Sequence, residues 1–141
     1  MENNCIFCKI INNEIPSYTI FENDDVKAFL DISQTTPGHT LVIPKKHRDS
    51  LLSFDREDAR NVFQYIPEIA RAIKASNTDI KGINLLNNNG EVAYQSVFHA
   101  HIHLIPRYSE QDDFSIHFSE NQSHYTPEKY EELAKSIKTQ F

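Results

Sequence analysis

Glycine is scarce in this chain: Gly38, Gly82 and Gly90 are the only three in 141 residues. They cannot supply a glycine-rich phosphate loop, and no G-x-G-x-x-G occurs, so a dinucleotide-binding turn is excluded as well. Cysteine is limited to Cys5 and Cys8, spaced C-I-F-C. In a reducing compartment that spacing marks a redox pair or half a zinc site more often than a disulfide. No run approaches the roughly 18 apolar residues of a membrane span, and MENNCIFCK lacks the apolar stretch of a signal peptide, so a cytoplasmic protein with no membrane partner is expected. Positive charge is short too. Lys and Arg total 14 against 20 Asp and Glu, a net charge of −6, which speaks against a binder of nucleic-acid backbone. An anionic small ligand would need a local cradle of donors. There are no repeats, low-complexity tracts or linkers, and the length predicts one domain over 1–141.

Histidine is present in quantity, and three of the seven stand in Gln95–Arg107, reading QSVFHAHIHLIPR. Val97, Phe98, Ile102, Leu104 and Ile105 favour extended backbone and Pro106 ends the run, which predicts a strand. On a strand, His99, His101 and His103 would share one face. A solvated polar face, a metal site and a catalytic row all fit that pattern. Alternate residues lie roughly 6.6 Å apart along a strand, while zinc holds nitrogen at about 2.0–2.1 Å. Two neighbours can therefore share one metal; all three cannot without a sharp bend.

The rest of the chain punctuates cleanly. Residues 5–12 follow a helical rhythm stopped by Ile15-Pro16. Ser17–Glu22 and Val26–Asp31 read as a hairpin around Asn23-Asp24-Asp25, and His39–Pro44 as a further strand after the turn at Thr36-Pro37-Gly38. Lys45, Lys46, His47 and Arg48 form a basic cluster of the kind that is usually a solvated loop. Asp55 is an N-cap for a long helix with its apolar stripe on Val62, Ile66, Ile69, Ala70 and Ile73, kinked or broken at Pro67. Ile83–Leu86 reads as a short buried strand, Asn87–Tyr94 as a polar loop, and Phe114–Phe118 as a weak strand. Thr126-Pro127 opens a C-terminal helix over about 126–139, with Tyr130, Leu133, Ala134 and Ile137 on one side. His117 and His124 are expected at the surface. Hairpin-linked strands with helices set apart predict an α+β fold with a mainly antiparallel sheet. For Cys5-x-x-Cys8, no strand precedes it as a redox motif requires, and half a zinc site needs two more ligands, which this chain's histidines can offer.

His99-Ala100-His101-Ile102-His103-Leu104-Ile105 matches the H-φ-H-φ-H-φ-φ motif of the histidine-triad (HIT) family, φ being hydrophobic. Together with CIFCKIINNEIPS, AFLDISQTTPGHTLVIPKKH and NNNGEVAYQSVFHAHIHLIPRY, in order over residues 5 to about 108, the chain closely resembles that family's bacterial Hint-like branch. The resemblance implies a homodimer whose sheets join, binding purine nucleotides and cleaving the bond between the α-phosphate and its leaving group. It implies His101 as the nucleophile of a nucleotidyl-histidine intermediate, His103 as a phosphate contact, His39 behind the nucleophile and Ser96 serving the leaving group. Gln95 and Asn88 would be phosphate donors and Asp31 would accept from ribose hydroxyls. Phe7, Ile10, Ile15, Phe29, Leu30, Ile32 and Leu41 would wall the base pocket. Cys5, Cys8, His47 and His99 would hold a structural zinc.

Two departures stand out. Many relatives have Gly where this chain has Tyr94, so the loop over the leaving group is expected to be reshaped or narrowed. Small Ala100, between the first two histidines, would make room elsewhere. A nucleotide hydrolase of the phosphoramidase type is the first reading of function. A dinucleoside polyphosphate hydrolase, with room for a second nucleotide, and a nucleotide-responsive binding or scaffold protein with vestigial turnover are the alternatives.

Overall fold

Alternation of small and branched residues along the strands sorts this fold into two faces. The computed structural model describes residues 4–141; residues 1–3 of the expected 1–141 domain lie outside the described residues. In chain order the elements are α1 (Ile6–Ile11), β1 (Thr19–Glu22), β2 (Val26–Leu30), β3 (Thr40–Pro44), α2 (Arg56–Phe63), α3 (Ile66–Ala75), β4 (Gly82–Leu86), β5 (Ile102–Arg107) and α4 (Pro127–Lys138). The five strands form one sheet in the order β1-β2-β3-β5-β4, and every neighbouring pair is antiparallel. Because β4 takes the edge, the chain doubles back and lays β5 between β3 and β4.

Val26, Ala28, Val42, Ile102 and Leu104 face one way and are buried against Val62, Ile66, Ile69 and Ile73 of α2 and α3. Phe29, Leu41 and Ile43 face the other way and pack with Phe7 and Ile10 of α1. On this second face His103 lies opposite Leu41, which in turn lies opposite Phe29. The side-chain period of two thus sends β5's aliphatic residues to the helices and its histidine to α1. Lys27 is also buried, its Nζ donating to the carbonyl of Ile10 at 3.2 Å and so tying α1 to β2.

Asp55 caps α2 as its sequence predicts, in a reciprocal box with Asp58. The expected long helix is two helices. Proline lacks the N–H and clashes with the carbonyl four residues back, here Phe63, which is where α2 ends; α3 restarts with Pro67 in its first turn.

Three local expectations are corrected. Residues 95–101 are not strand: β5 begins at Ile102, and the segment before it is held by bonds such as Ala100 N–H to the Arg48 carbonyl at 2.7 Å. Ile83–Leu86 is a strand, but an edge strand, with Leu85 exposed. Phe114–Phe118 is irregular; only Phe114 is engaged, beneath the Arg107 guanidinium at 5.2 Å. Helix α4 forms with Thr126 as its cap, while Tyr130, Leu133, Ala134 and Ile137 all remain exposed. Among the described residues no helix is long and apolar enough to cross a membrane.

Leu104 is fully buried between the sheet and the helices. Leu104→Ala should lower the unfolding free energy by about 2–5 kcal/mol, because the surrounding strands and helices collapse only partly onto the gap. Urea unfolding at fixed pH checks this; an unchanged midpoint would contradict the packing described.

Candidate functional site

The protons of the three clustered imidazoles can be placed from their partners, since a carbonyl only accepts and a backbone amide only donates. Nδ1 of His39 receives the N–H of Thr35 at 3.3 Å, so the His39 proton sits on Nε2. That Nε2–H points at Nδ1 of His103, 2.9 Å away, and leaves the His103 proton on its own Nε2. His101 faces the opposite demand. Its Nδ1–H donates to the carbonyl of His99 at 2.8 Å, so Nε2 of His101 is a bare lone pair. The rings of His101 and His103 are edge-on with centroids 5.1 Å apart. One therefore offers a nucleophilic nitrogen and its neighbour an N–H donor, the pairing that attack on an anionic phosphorus centre needs.

Burial favours the neutral form of His39 and His103. It pushes His103 down to about 4, helped by the facing His101 and His39 and opposed by Asp31. Burial also lowers His39, again opposed by Asp31. Desolvation alone would raise the Asp31 carboxyl, but N–H and Oγ–H bonds from Ser33, at 2.8 and 2.7 Å, hold it below the usual carboxylate value.

The histidines open onto a cavity of about 450 Å³. Its apolar wall is made of Phe7, Ile10 and Ile15 from α1 and the segment after it, with Phe29 and Leu30 from β2 and Leu41 from β3; Ile32 stands exposed at the rim. Asp31, His39, Asn88, Ser96, His101 and His103 supply its polar groups. Phe7 meets Phe29 and His101 edge-on at 5.8 and 5.1 Å, so the cavity wall also fixes the ring that bears the lone pair.

Gln95 is not brought to the cavity. Its Nε2 donates to the carbonyls of Asp49 (2.6 Å) and Val97 (3.0 Å) and its Oε1 accepts from the N–H of Gly90 (2.9 Å), so its amide is committed to closing the loop before the histidines. Pro16, Ser17, Tyr18, Thr35 and Phe114 line the cavity without having been singled out from the sequence. The turn residues carried no motif, and Phe114 arrives through its stack on Arg107. Tyr94 also lines the cavity, and its backbone is left-handed, φ 69° and ψ 21°. The loop thus keeps a glycine-like path at this position, and tyrosine bears a strain of roughly 1–2 kcal/mol to follow it.

A second cluster lies behind His101. Nδ1 of His99 is 3.3 Å from Sγ of Cys5, 3.5 Å from Sγ of Cys8 and 3.2 Å from Nδ1 of His47. Nε2–H of His99 donates to the Pro44 carbonyl at 2.8 Å, and Nε2–H of His47 to the Asp49 carboxylate at 3.0 Å. Both Nδ1 atoms are therefore bare, and two lone pairs cannot hydrogen-bond to each other across 3.2 Å. A cation between them resolves the conflict. Two nitrogens bound to a tetrahedral ion at about 2.05 Å would be about 3.3 Å apart. Cys5, Cys8, His47 and His99 can hold a metal.

Fold and site together define an α+β protein with a histidine-lined cavity and a separate Cys2His2 cluster that can hold a metal. The HIT domain pattern matches residues 12–110, and the chain belongs to the HIT family. Protein hit of Bacillus subtilis is 51% identical over 134 residues, covering 95% of this chain and 92% of that protein. The crystal structure of a HIT family protein from Bacillus anthracis has a TM-score of 0.94 at 48% identity, over 100% of this chain and 99% of that one. The adenosine 5'-monophosphoramidase of Saccharomyces cerevisiae is 40% identical over 112 residues, 79% of this chain and 68% of that protein. A Zn-bound histidine triad family protein from Mycobacterium smegmatis has a TM-score of 0.73 at 35% identity, covering 86% of each chain.

In the unfolded chain His103 and His39 take up protons near pH 6.5, whereas in the fold His103 does so only near 4 and His39 below its ordinary value. Below pH about 6.5 the unfolded chain binds the more protons, so stability should fall as pH drops from about 6.5 toward 4. Chemical denaturation across that range, with imidazole resonances followed by NMR, checks this. A His103 ring that protonates above pH 6 would contradict it.

Proposed function

We propose that this chain is a hydrolase of purine nucleotide conjugates, in the first place nucleoside phosphoramidates, working through a nucleotidyl-histidine intermediate on His101. The observation that carries this reading is the pair of opposite tautomers beside one cavity: a bare Nε2 on His101 and an Nε2–H on His103. The similarity to a yeast adenosine 5'-monophosphoramidase supports the substrate class.

In this reading the base lies against Phe7, Ile10, Ile15, Phe29, Leu30, Ile32 and Leu41, and Asp31 accepts from the ribose hydroxyls. His103 and Asn88 donate to phosphate oxygens, and His39 holds the His103 proton outward. Nε2 of His101 attacks the α-phosphorus in line; the Nε2–P bond forms as the bond to the leaving nitrogen breaks. Ser96, exposed at the cavity, relays a solvent proton to the departing amine. Water then attacks phosphorus, loses a proton to solvent and releases the monophosphate, and His101 returns to its neutral tautomer. Gln95 has a different role from a phosphate donor: it shapes the loop that presents Ser96.

Bound zinc at Cys5, Cys8, His47 and His99 would be structural, joining α1 to the segment before β5, since four protein ligands leave no open position. The exposed edge strand β4 supports a homodimer in which the two sheets continue into one. The net charge of −6 supports a small anionic conjugate, bound in a local cradle of donors, over nucleic-acid backbone as the ligand.

His101→Ala should lose several powers of ten in turnover of an adenosine phosphoramidate yet still bind adenosine monophosphate. The decisive measurement is covalent trapping of labelled nucleotide on the wild type and not on the variant. Retained turnover with His103→Ala inactive would shift the nucleophile by one repeat. Binding without His101-dependent turnover would favour a scaffold, and preference for a dinucleoside polyphosphate in a matched assay would favour that class of substrate.

Protein purified without added metal should contain about one zinc per chain, and Cys5→Ser with Cys8→Ser should lower the thermal midpoint. Metal analysis finding no transition metal would overturn the zinc assignment.

A further inference from the structure

We infer that Tyr94 reads the leaving group: its ring is an aromatic platform at the cavity mouth for conjugates whose departing amine carries a planar aromatic group. This rests on the hydrolase reading above. The conformation of Tyr94 is imposed from both sides. The Gly90 carbonyl accepts from Ala93 N–H at 3.1 Å and from Gln95 N–H at 3.0 Å, and Tyr94 N–H donates to Glu91 at 3.0 Å. Gln95 then anchors the far end through its amide bonds to Asp49, Val97 and Gly90. The residue between these anchors must turn left-handed, where glycine is the unstrained choice.

Folding returns nothing for a tyrosine there. The residue is 87% exposed, and its hydroxyl has no hydrogen-bond partner among the described residues. Yet Tyr94 is one of the residues that line the cavity, with Asn88 and Ser96 of the same 87–97 segment, whereas Phe7, Ile10, Phe29, Leu30 and Leu41 come from α1, β2 and β3. In-line displacement places the departing group on the far side of phosphorus from Nε2 of His101. Ser96, the proton relay to that group, lies two residues from Tyr94. A planar substituent on the leaving nitrogen therefore has an aromatic face available at the mouth, and a saturated one of equal size gains less from it.

The test compares two adenosine monophosphate conjugates, one with benzylamine and one with cyclohexylmethylamine as leaving group, in wild type, Tyr94→Gly and Tyr94→Phe. Wild type should favour the benzylamine conjugate in kcat/KM by about two- to tenfold, with the difference in KM. Tyr94→Gly should erase that ratio and Tyr94→Phe should keep it. An unaltered ratio in Tyr94→Gly overturns the platform. So does a changed mass of Tyr94→Gly by light scattering, which would mean that the ring packs on another copy of the chain. If wild type hydrolyses neither conjugate, the hydrolase reading fails. Equilibrium binding of the same two conjugates to the three proteins then decides the platform by the same ratio.

Discussion

Nδ1–H of His101 donates to the carbonyl of His99 at 2.8 Å, while the ring of His99 enters the cluster of Cys5, Cys8 and His47. One residue therefore sets the tautomer of the His101 imidazole with its backbone and anchors the surrounding segment with its side chain. Because residues 95–101 are irregular rather than strand, no ladder of sheet hydrogen bonds holds that carbonyl in place. The His99–Pro44 bond, the Ala100–Arg48 bond and the cysteines at the start of α1, Cys5 as its N-cap and Cys8 within it, do so instead. The same helix presents Phe7 edge-on to His99 and His101, which couples the cysteine-bearing end of α1 to the cavity wall.

Burial then turns an imidazole row into a directed chain of donors and acceptors. A charged histidine would lose its lone pair and repel its neighbours, and desolvation pushes His103 down to about 4. From Thr35 N–H through His39 to His103, each neutral ring has one nitrogen accepting and the other donating, so the direction is set at the backbone end. His101, oriented by a different carbonyl, ends with the opposite nitrogen free. Two identical side chains two residues apart thus acquire complementary chemistry from their partners alone.

Topology makes this arrangement possible. The crossover that leaves β4 at the edge puts β5 beside β3, so that His103 lies opposite Leu41 and within reach of His39 just before β3. The helices α2 and α3 fill one face of the sheet with aliphatic side chains, leaving the other face to α1 and the cavity.

The sequence by itself determined the parts whose physics is local. Asp55 and Thr126 cap helices because their side chains reach backbone amides three residues on, and Pro67 divides a helix because it lacks an N–H. The histidine motif identified the family and named most of the cavity. Tertiary structure decided whatever depended on partners distant in the chain. The strand at the histidines starts only at Ile102, because the segment before it bonds to Arg48 and Asp49 rather than to a neighbouring strand. Gln95 is turned away from the cavity for the same reason. The side chains of α4, amphipathic in sequence, remain exposed because periodicity states which residues share a face and not what covers it. Tyr94 is left-handed because anchors at Gly90 and Gln95 outweigh its own preference, a balance that no pattern of residues along the chain contains.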